Sequence, residues 1–269
     1  MPAIRYFKQL SGPVLDVTLP PRCWADGSDA AGALGLSDET RAQIARLSMQ
    51  RYCFHCGLNV GPFEAHDARD PCGRCGEREV GVAHVARVGV FKDPLIALIH
   101  RLKFGRSWEI ARILAPFLFQ SLLRVSEATH TPVEALIPVP LHWSRRMMRG
   151  FNQAEELARE TAALAGSRQW PVLKALRRKR RTSEQARIES PARRAQNLRG
   201  AFTPARANVA GLHVWLIDDV STTGATIHAA AAALRRLPRT ARPASINAAV
   251  LCITDHRTPG ATPAQNHPQ

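Results

Sequence analysis

No stretch of this sequence reaches the roughly 18 consecutive apolar residues that cross a bilayer, so no membrane insertion is expected. No secretory signal is expected either, because Asp16 and the prolines Pro13, Pro20 and Pro21 interrupt the apolar residues near residue 1. Cysteines scattered as a disulfide framework are also absent. Four of the six fall in two C-x-x-C pairs, and 269 residues bury enough core to fold without such staples. These absences set cytoplasmic residence as the expectation. No internal repeat is present, and the composition gives no sign of wholesale disorder. Above all, the chain is short of acid: 22 Asp and Glu face 37 Lys and Arg, a formal net charge of +15. Such an excess favours polyanions such as nucleic acid, nucleotide phosphates or anionic lipid. Evenly spread charge would indicate only a basic, soluble surface, so clustering decides. Between Lys174 and Arg199 stand ten basic residues and only two acids, Glu184 and Glu189.

The length allows one α/β domain with a small appendage. Residues 1–36 read as irregular, Ser37 caps a helix running to about Met49, and 51–79 is loop-rich. Strands are predicted over 82–90, 135–141, 212–217 and 244–253. Helices are predicted from Asp93-Pro94, with Leu95, Leu98, Ile99 and Leu102 on one face, over 107–124, bent or broken near Pro116, over 152–165, and over the alanine-rich 224–237. A shorter helix opens at Ser190-Pro191 and stops at Gly200. Strands alternating with helices imply a mostly parallel sheet covered on both faces. The expected division is an irregular, cysteine-bearing region over 1–80, an α/β domain over 81–256 and a disordered tail over 257–269.

The most informative segment is Val214-Trp215-Leu216-Ile217-Asp218-Asp219-Val220-Ser221-Thr222-Thr223-Gly224-Ala225-Thr226. An apolar strand ends in adjacent carboxylates, and a loop of small hydroxyl and glycine residues then feeds a helix. In an open α/β sheet, ligands bind at the carboxyl ends of strands. Small residues let backbone N–H groups converge on a phosphate, and the helix N-terminus adds favourable partial charge. The carboxylates would repel that phosphate, yet they suit the vicinal hydroxyls of a ribose, which need acceptors. One segment thus fits a ribose 5-phosphate from both ends. The plainer alternative, that Asp218 and Asp219 open a turn and cap the helix, fits one Asp before one Thr better than it fits the full string.

Cys53-Phe54-His55-Cys56-Gly57 and Cys72-Gly73-Arg74-Cys75-Gly76 form a C-x2-C-x15-C-x2-C arrangement. Each pair offers two thiolates from one tight turn, so Cys53, Cys56, Cys72 and Cys75 are expected to close a tetrahedral, structural zinc site. Free buried thiols and a disulfide are the alternatives. A redox role fits less well, because neither pair follows a clean strand into a helix. His55 or His66 could replace one sulfur, and Cys252 reads as a core residue.

The string around Asp218 resembles the phosphoribosyl-diphosphate motif of type I phosphoribosyltransferases. Further segments, Leu102-Lys103-Phe104-Gly105, Pro138-Val139-Pro140-Leu141-His142, Arg149-Gly150-Phe151-Asn152-Gln153 and Asn197-Leu198-Arg199-Gly200-Ala201-Phe202, stand in the order seen in the ComF family of competence-associated proteins. The resemblance runs from about Cys53 to Thr254. It implies a Rossmann-like, mostly parallel sheet of the type I phosphoribosyltransferase fold with a small N-terminal zinc-binding appendage, binding phosphoribosyl diphosphate with magnesium. By that resemblance Asp218 and Asp219 are the catalytic pair on the ribose hydroxyls. Val220 continues the binding string, and Ser221, Thr222, Thr223, Gly224, Ala225 and Thr226 take the 5-phosphate. Lys103, Arg145 and Arg149 are candidate partners of the diphosphate, although arginines at a helix start serve equally as solvated surface charge. ComF relatives often carry an earlier cysteine cluster. Here Cys23 stands alone, and no second metal site is expected.

Two functions follow from the resemblance. One is an accessory protein of DNA uptake in natural transformation, contacting single-stranded DNA through its zinc knuckle and the basic run Arg177-Arg178-Lys179-Arg180-Arg181, with a competence helicase or uptake-channel proteins as partners. Trp108, Trp143, Phe151 and Phe54 are the aromatic candidates for base stacking, against the ordinary reading of aromatics as core. The other is an active phosphoribosyltransferase acting on a nucleobase or amine, in which the basic segment from Arg177 to Arg194 stands where related enzymes have a mobile loop that closes over the substrate. One diphosphate hardly needs so many cations, which favours the first. No nucleobase-selecting element is visible, so the acceptor is not indicated.

Overall fold

The computed structural model describes residues 22–28, 34–61, 70–78, 80–105, 107–166, 168–179, 198 and 200–255. Its strands are β1 (Val85–Val90), β2 (Ala135–Pro138), β3 (Leu176–Arg178), β4 (Phe202–Pro204), β5 (His213–Ser221) and β6 (Ser245–Ile253). The helices are α1 (Asp38–Ser48), α2 (Leu95–Phe104), α3 (Glu109–Thr129), α4 (Trp143–Arg149), α5 (Gln153–Ala165) and α6 (Ala225–Arg235). Four strands form one parallel sheet in the order β1-β6-β5-β2, so the expected α/β architecture with a mostly parallel sheet holds. β3 and β4 pair antiparallel as a separate ribbon.

A parallel sheet must be covered on both faces, and its strands are apolar on both. Side chains alternate accordingly. Trp215, Ile217, Ala249 and Leu251 join one core with α1, α2, α3 and α5. Val214, Leu216, Ala248 and Val250 join the other with α6, the β3–β4 ribbon and the cysteine turns. Trp215 is fully buried, and its indole N–H donates to the carbonyl of Pro132 at 3.2 Å, satisfying its single donor. Cys252 is in the core, as expected.

Ser37 caps α1 as its position predicts, accepting a hydrogen bond from the N–H of Thr40 at 3.2 Å. Several elements depart from the sequence expectation, which includes neither β3 nor β4 and carries β2 on to residue 141. Asp93 does not cap α2, because Pro94 takes the cap position. α3 runs through Pro116 to Thr129, held by a buried stripe that includes Ile110, Leu114, Leu118, Leu122 and Val125. β5 reaches four residues beyond Ile217, because its pairing with β6 continues to Ser221 and Ile253. The acids therefore lie within the strand's last turns of pleat rather than after it. The short helix over 190–200 and the tail over 257–269 lie outside the described residues, apart from Leu198 and Gly200.

The cysteine turns are packed into the domain. Gly57 sits at φ +79°, and a Cβ there would collide with the Ile253 side chain at the end of β6. Gly57→Ala should combine a left-handed penalty of about 1–2 kcal/mol with that overlap. The expected outcome is a melting temperature lower by at least about 4 °C, measured by calorimetry on the metal-loaded protein.

Candidate ligand site and metal centre

The carboxyl ends of β5 and β6, the last turn of α2 and the first turn of α5 meet at the carboxyl end of the sheet. Asp218 is half-buried and Asp219 buried. The Asp219 N–H donates to Asp218 Oδ1 at 2.9 Å. Leu102 anchors α2 in the core, which leaves Lys103 at the helix end, with its Nζ 3.1 Å from Asp219 Oδ1. The wall beside it is fixed by Gln153, whose amide donates to the Leu102 carbonyl at 3.5 Å and accepts from Arg149 Nη1 at 3.1 Å. Asn152 donates to the Val139 carbonyl at 3.2 Å, tying the end of β2 to the same place. The structure thus brings Lys103 onto the acid pair and sets Arg149 nearby, its guanidinium 5.3 Å over the Phe104 ring. The Arg145 side chain lies outside the described residues.

After Asp219 the backbone turns through Ser221, Thr222 and Thr223 to Gly224, which takes φ +84° at the cap of α6. That left-handed conformation favours glycine. It delivers the chain into an 11-residue helix whose first N–H groups open toward the loop. The Ala225 N–H faces Thr223 Oγ1 at 3.4 Å. Val220 and Thr226 are half-buried at either end of this turn.

Burial first, and then the charge of Asp219, push the Asp218 carboxyl up from 3.8 to about 7, against the Asp219 N–H, Lys103 and Arg178. Between those values the folded chain holds a proton that the unfolded chain has lost, so stability falls as pH rises across that window. Asp218→Asn should flatten this slope in melting temperatures taken from pH 4.5 to pH 7.5. A slope unchanged in the variant would assign it to another group.

Cys53, Cys56, Cys72 and Cys75 converge so that all four sulfurs lie within 4.8 Å of one another. Cys53 is 3.6 Å from Cys75, Cys56 is 3.7 Å from Cys72, and Cys72 is 3.8 Å from Cys75. A tetrahedral zinc with Zn–S bonds of about 2.3 Å sets its sulfurs about 3.8 Å apart. These separations are far beyond a disulfide's length, and all four are free thiols. The residues fit a zinc ion, which would supply cross-linking of the two turns. Cys53 is pulled down to about 3, chiefly by the contact with Cys56, whose own proton is held more tightly by the same contact. Cys23 lies apart in the core, against Thr40 Oγ1 at 3.4 Å.

Of the basic run, Arg177 and Lys179 are exposed. Arg178 lies with its guanidinium 5.2 Å over the Phe202 ring and contributes to the field at Asp218. Arg180 and Arg181 lie outside the described residues. Lys174, at the start of the cluster, pairs with Glu155 at 2.6 Å. Among the aromatic candidates Phe54 is buried and Phe151 half-buried, whereas Trp108 and Trp143 are 50% and 69% exposed. Sequence reasoning missed Arg78 and Asp255. Arg78 Nη2 donates to Ser221 Oγ at 2.7 Å and to the Ser221 carbonyl at 3.2 Å. Asp255, 1% exposed, pairs with Arg74 at 2.9 Å and accepts from the Asn59 N–H at 3.1 Å. Neither residue carries a local signal, since each partner lies far away in the chain.

Fold and site define an α/β protein whose parallel sheet ends in a carboxylate-and-hydroxyl loop beside a tetrathiolate centre. The chain is 36% identical over 216 residues to the DNA utilization protein YhgH of Salmonella typhi, covering 78% of this chain and 89% of that protein. It is 34% identical over 194 residues to competence protein F of Haemophilus influenzae, covering 69% and 79%. With competence protein ComFC of Bacillus subtilis it shares 28% over 203 residues, covering 69% and 78%. No family model and no solved structure matches it. The chain belongs to the ComF family of competence-associated proteins.

Proposed function

We propose that this chain serves DNA uptake, binding phosphoribosyl diphosphate at the end of β5 and single-stranded DNA along its basic surface. The role in uptake is supported by relatives named for competence and for DNA utilization. The ligand reading is carried by one observation: adjacent carboxylates at the carboxyl end of a parallel strand, followed directly by a hydroxyl–glycine turn into a helix N-terminus. Asp218 and Asp219 accept hydrogen bonds from the ribose diol, and the 221–226 turn holds the 5-phosphate with backbone amides and hydroxyls. Lys103 offsets the negative field of the acid pair and, with Arg149, supplies cationic charge for the diphosphate. A magnesium ion carried by the diphosphate would neutralise part of its charge.

Arg177 and Lys179 extend a cationic surface from β3, while the exposed rings of Trp108 and Trp143 are available for stacking on unpaired bases. The test is a titration of phosphoribosyl diphosphate and an oligothymidylate, alone and together, across a salt series. If about four phosphates are neutralised, the DNA affinity should fall with a log–log slope of about −3, from about −0.7 per phosphate. A slope near zero rules out the DNA reading.

A further inference from the structure

We propose that the tetrathiolate centre governs anion binding at the 221–226 loop through Arg78, so that metal and phosphate bind cooperatively. This rests on the reading of that loop as a phosphate site, and it adds a regulation that the site's own residues do not contain.

The connection is built from the end of the second cysteine turn. Cys75 opens a short helical turn over Cys75–Glu77. Arg78 follows immediately, its backbone N–H donating to the carbonyl of Cys75 at 3.3 Å. The metal ligand thus fixes the backbone from which the Arg78 side chain departs. That side chain crosses to the loop and places one nitrogen, Nη2, on both the hydroxyl and the carbonyl of Ser221, at 2.7 and 3.2 Å. Ser221 is the first residue of the loop after the strand's acids. Its carbonyl also accepts from the Thr254 N–H at 3.2 Å. The end of β6 is in turn locked to the knuckle, because Asp255 pairs with Arg74, which stands between Cys72 and Cys75. Two arginines from one cysteine turn therefore hold the loop, one directly and one through its neighbour.

Arg78 is 6% exposed and forms no ion pair with a carboxylate among the described residues. Its Nε and Nη1 are buried with no hydrogen-bond partner among the described residues. A buried guanidinium left so poorly compensated is costly. Metal binding fixes the Arg78 backbone through the Cys75 turn, and with it the guanidinium that orders Ser221 for an anion in the adjacent loop. Arg78 is a positioning residue, since it acts on the ligand by holding Ser221.

Linkage makes the effect reciprocal: if metal raises the affinity for phosphate, phosphate must retain the metal. The experiment uses the zinc-loaded full chain and Arg78→Met, with Arg78→Lys as a variant that keeps the charge but not the forked donors. Saturating phosphoribosyl diphosphate should raise the zinc affinity, read by chelator competition at equilibrium, by at least about fivefold in the wild type, and by less than about twofold in Arg78→Met. Calorimetry should show Arg78→Met binding phosphoribosyl diphosphate at least about tenfold more weakly, with Arg78→Lys in between and zinc content unchanged. Without ligand, amide hydrogen exchange over 221–226 should be faster in Arg78→Met, while β1 and α3 stay protected. An equal gain in zinc affinity in wild type and Arg78→Met, or unaltered exchange over 221–226, overturns the coupling. A wild type that binds no phosphoribosyl diphosphate defeats the ligand reading alone, and the exchange measurement then still decides whether Arg78 orders the loop.

Discussion

Asp218→Ala/Asp219→Ala should weaken phosphoribosyl diphosphate binding by at least about 100-fold without unfolding the protein. A hydrogen bond to an ionised group contributes about 1.5–3 kcal/mol, and the pair offers acceptors for both ribose hydroxyls. Stability should move little, or rise. Asp218 is held in a site that raises its carboxyl to about 7, so its ionised form is disfavoured by the fold. Its removal relieves that penalty, against the loss of the Lys103–Asp219 pair at 3.1 Å, a partly exposed pair of the kind that contributes at most about 1 kcal/mol. Inorganic phosphate separates the two ends of the ligand. Its affinity should stay level or increase in the double variant, because the carboxylates repel it and make no bond to it. Calorimetry with both ligands, alongside thermal melts, checks each part. Equal affinity for phosphoribosyl diphosphate in wild type and variant would remove the acids from the site.

The second large effect is expected at the metal centre. Cys72→Ser should abolish stoichiometric zinc binding and lower the melting temperature by about 10 °C or more. Cys72 is only half-buried, so the exchange of sulfur for oxygen leaves no cavity. The loss acts through the ion, which closes turns separated by residues 57–71 and whose binding energy is folding energy. The consequence reaches beyond the turns, because Cys53, Cys56, Leu58, Val60 and Val80 share a core with β5 and α6. Cys23→Ala is the control. Its sulfur contacts Thr40 rather than the cluster, so the variant should lose some packing energy and keep its full zinc content. Metal analysis and calorimetry of the two variants distinguish a ligand from a core cysteine.

What the sequence made legible was whatever is local. The acids, hydroxyls and glycine of the β5–α6 turn are consecutive, so their chemistry could be read from spacing alone. The same holds for the cysteine pairs, which converge as their C-x2-C spacing predicts. Lys103 was reachable only through the family resemblance, because nothing in Leu102-Lys103-Phe104-Gly105 says that this helix end meets a strand end far along the chain. Arg78 was out of reach. It is separated from Ser221 by 143 positions, and it sits in a glycine- and charge-rich turn where arginine is ordinarily solvated. The β3–β4 ribbon was hidden for another reason. Charge dominates its first strand, and Phe202 lies outside the basic cluster altogether, so nothing local joined Leu176 to Phe202, the apolar residues that seat the ribbon on the sheet. Pro116 shows the opposite balance of local and tertiary forces. Propensity argues for a bend or a break, and the buried stripe of α3 on both sides of it keeps the helix unbroken.

A crystal of the zinc-loaded protein soaked with ribose 5-phosphate tests the central assignment most directly. The expected density places the sugar's vicinal hydroxyls within hydrogen-bond distance of Asp218 and Asp219, and its phosphate against the amides of 221–226 at the start of α6. Phosphate density elsewhere, with both carboxylates still turned only toward Lys103 and the backbone, would contradict it.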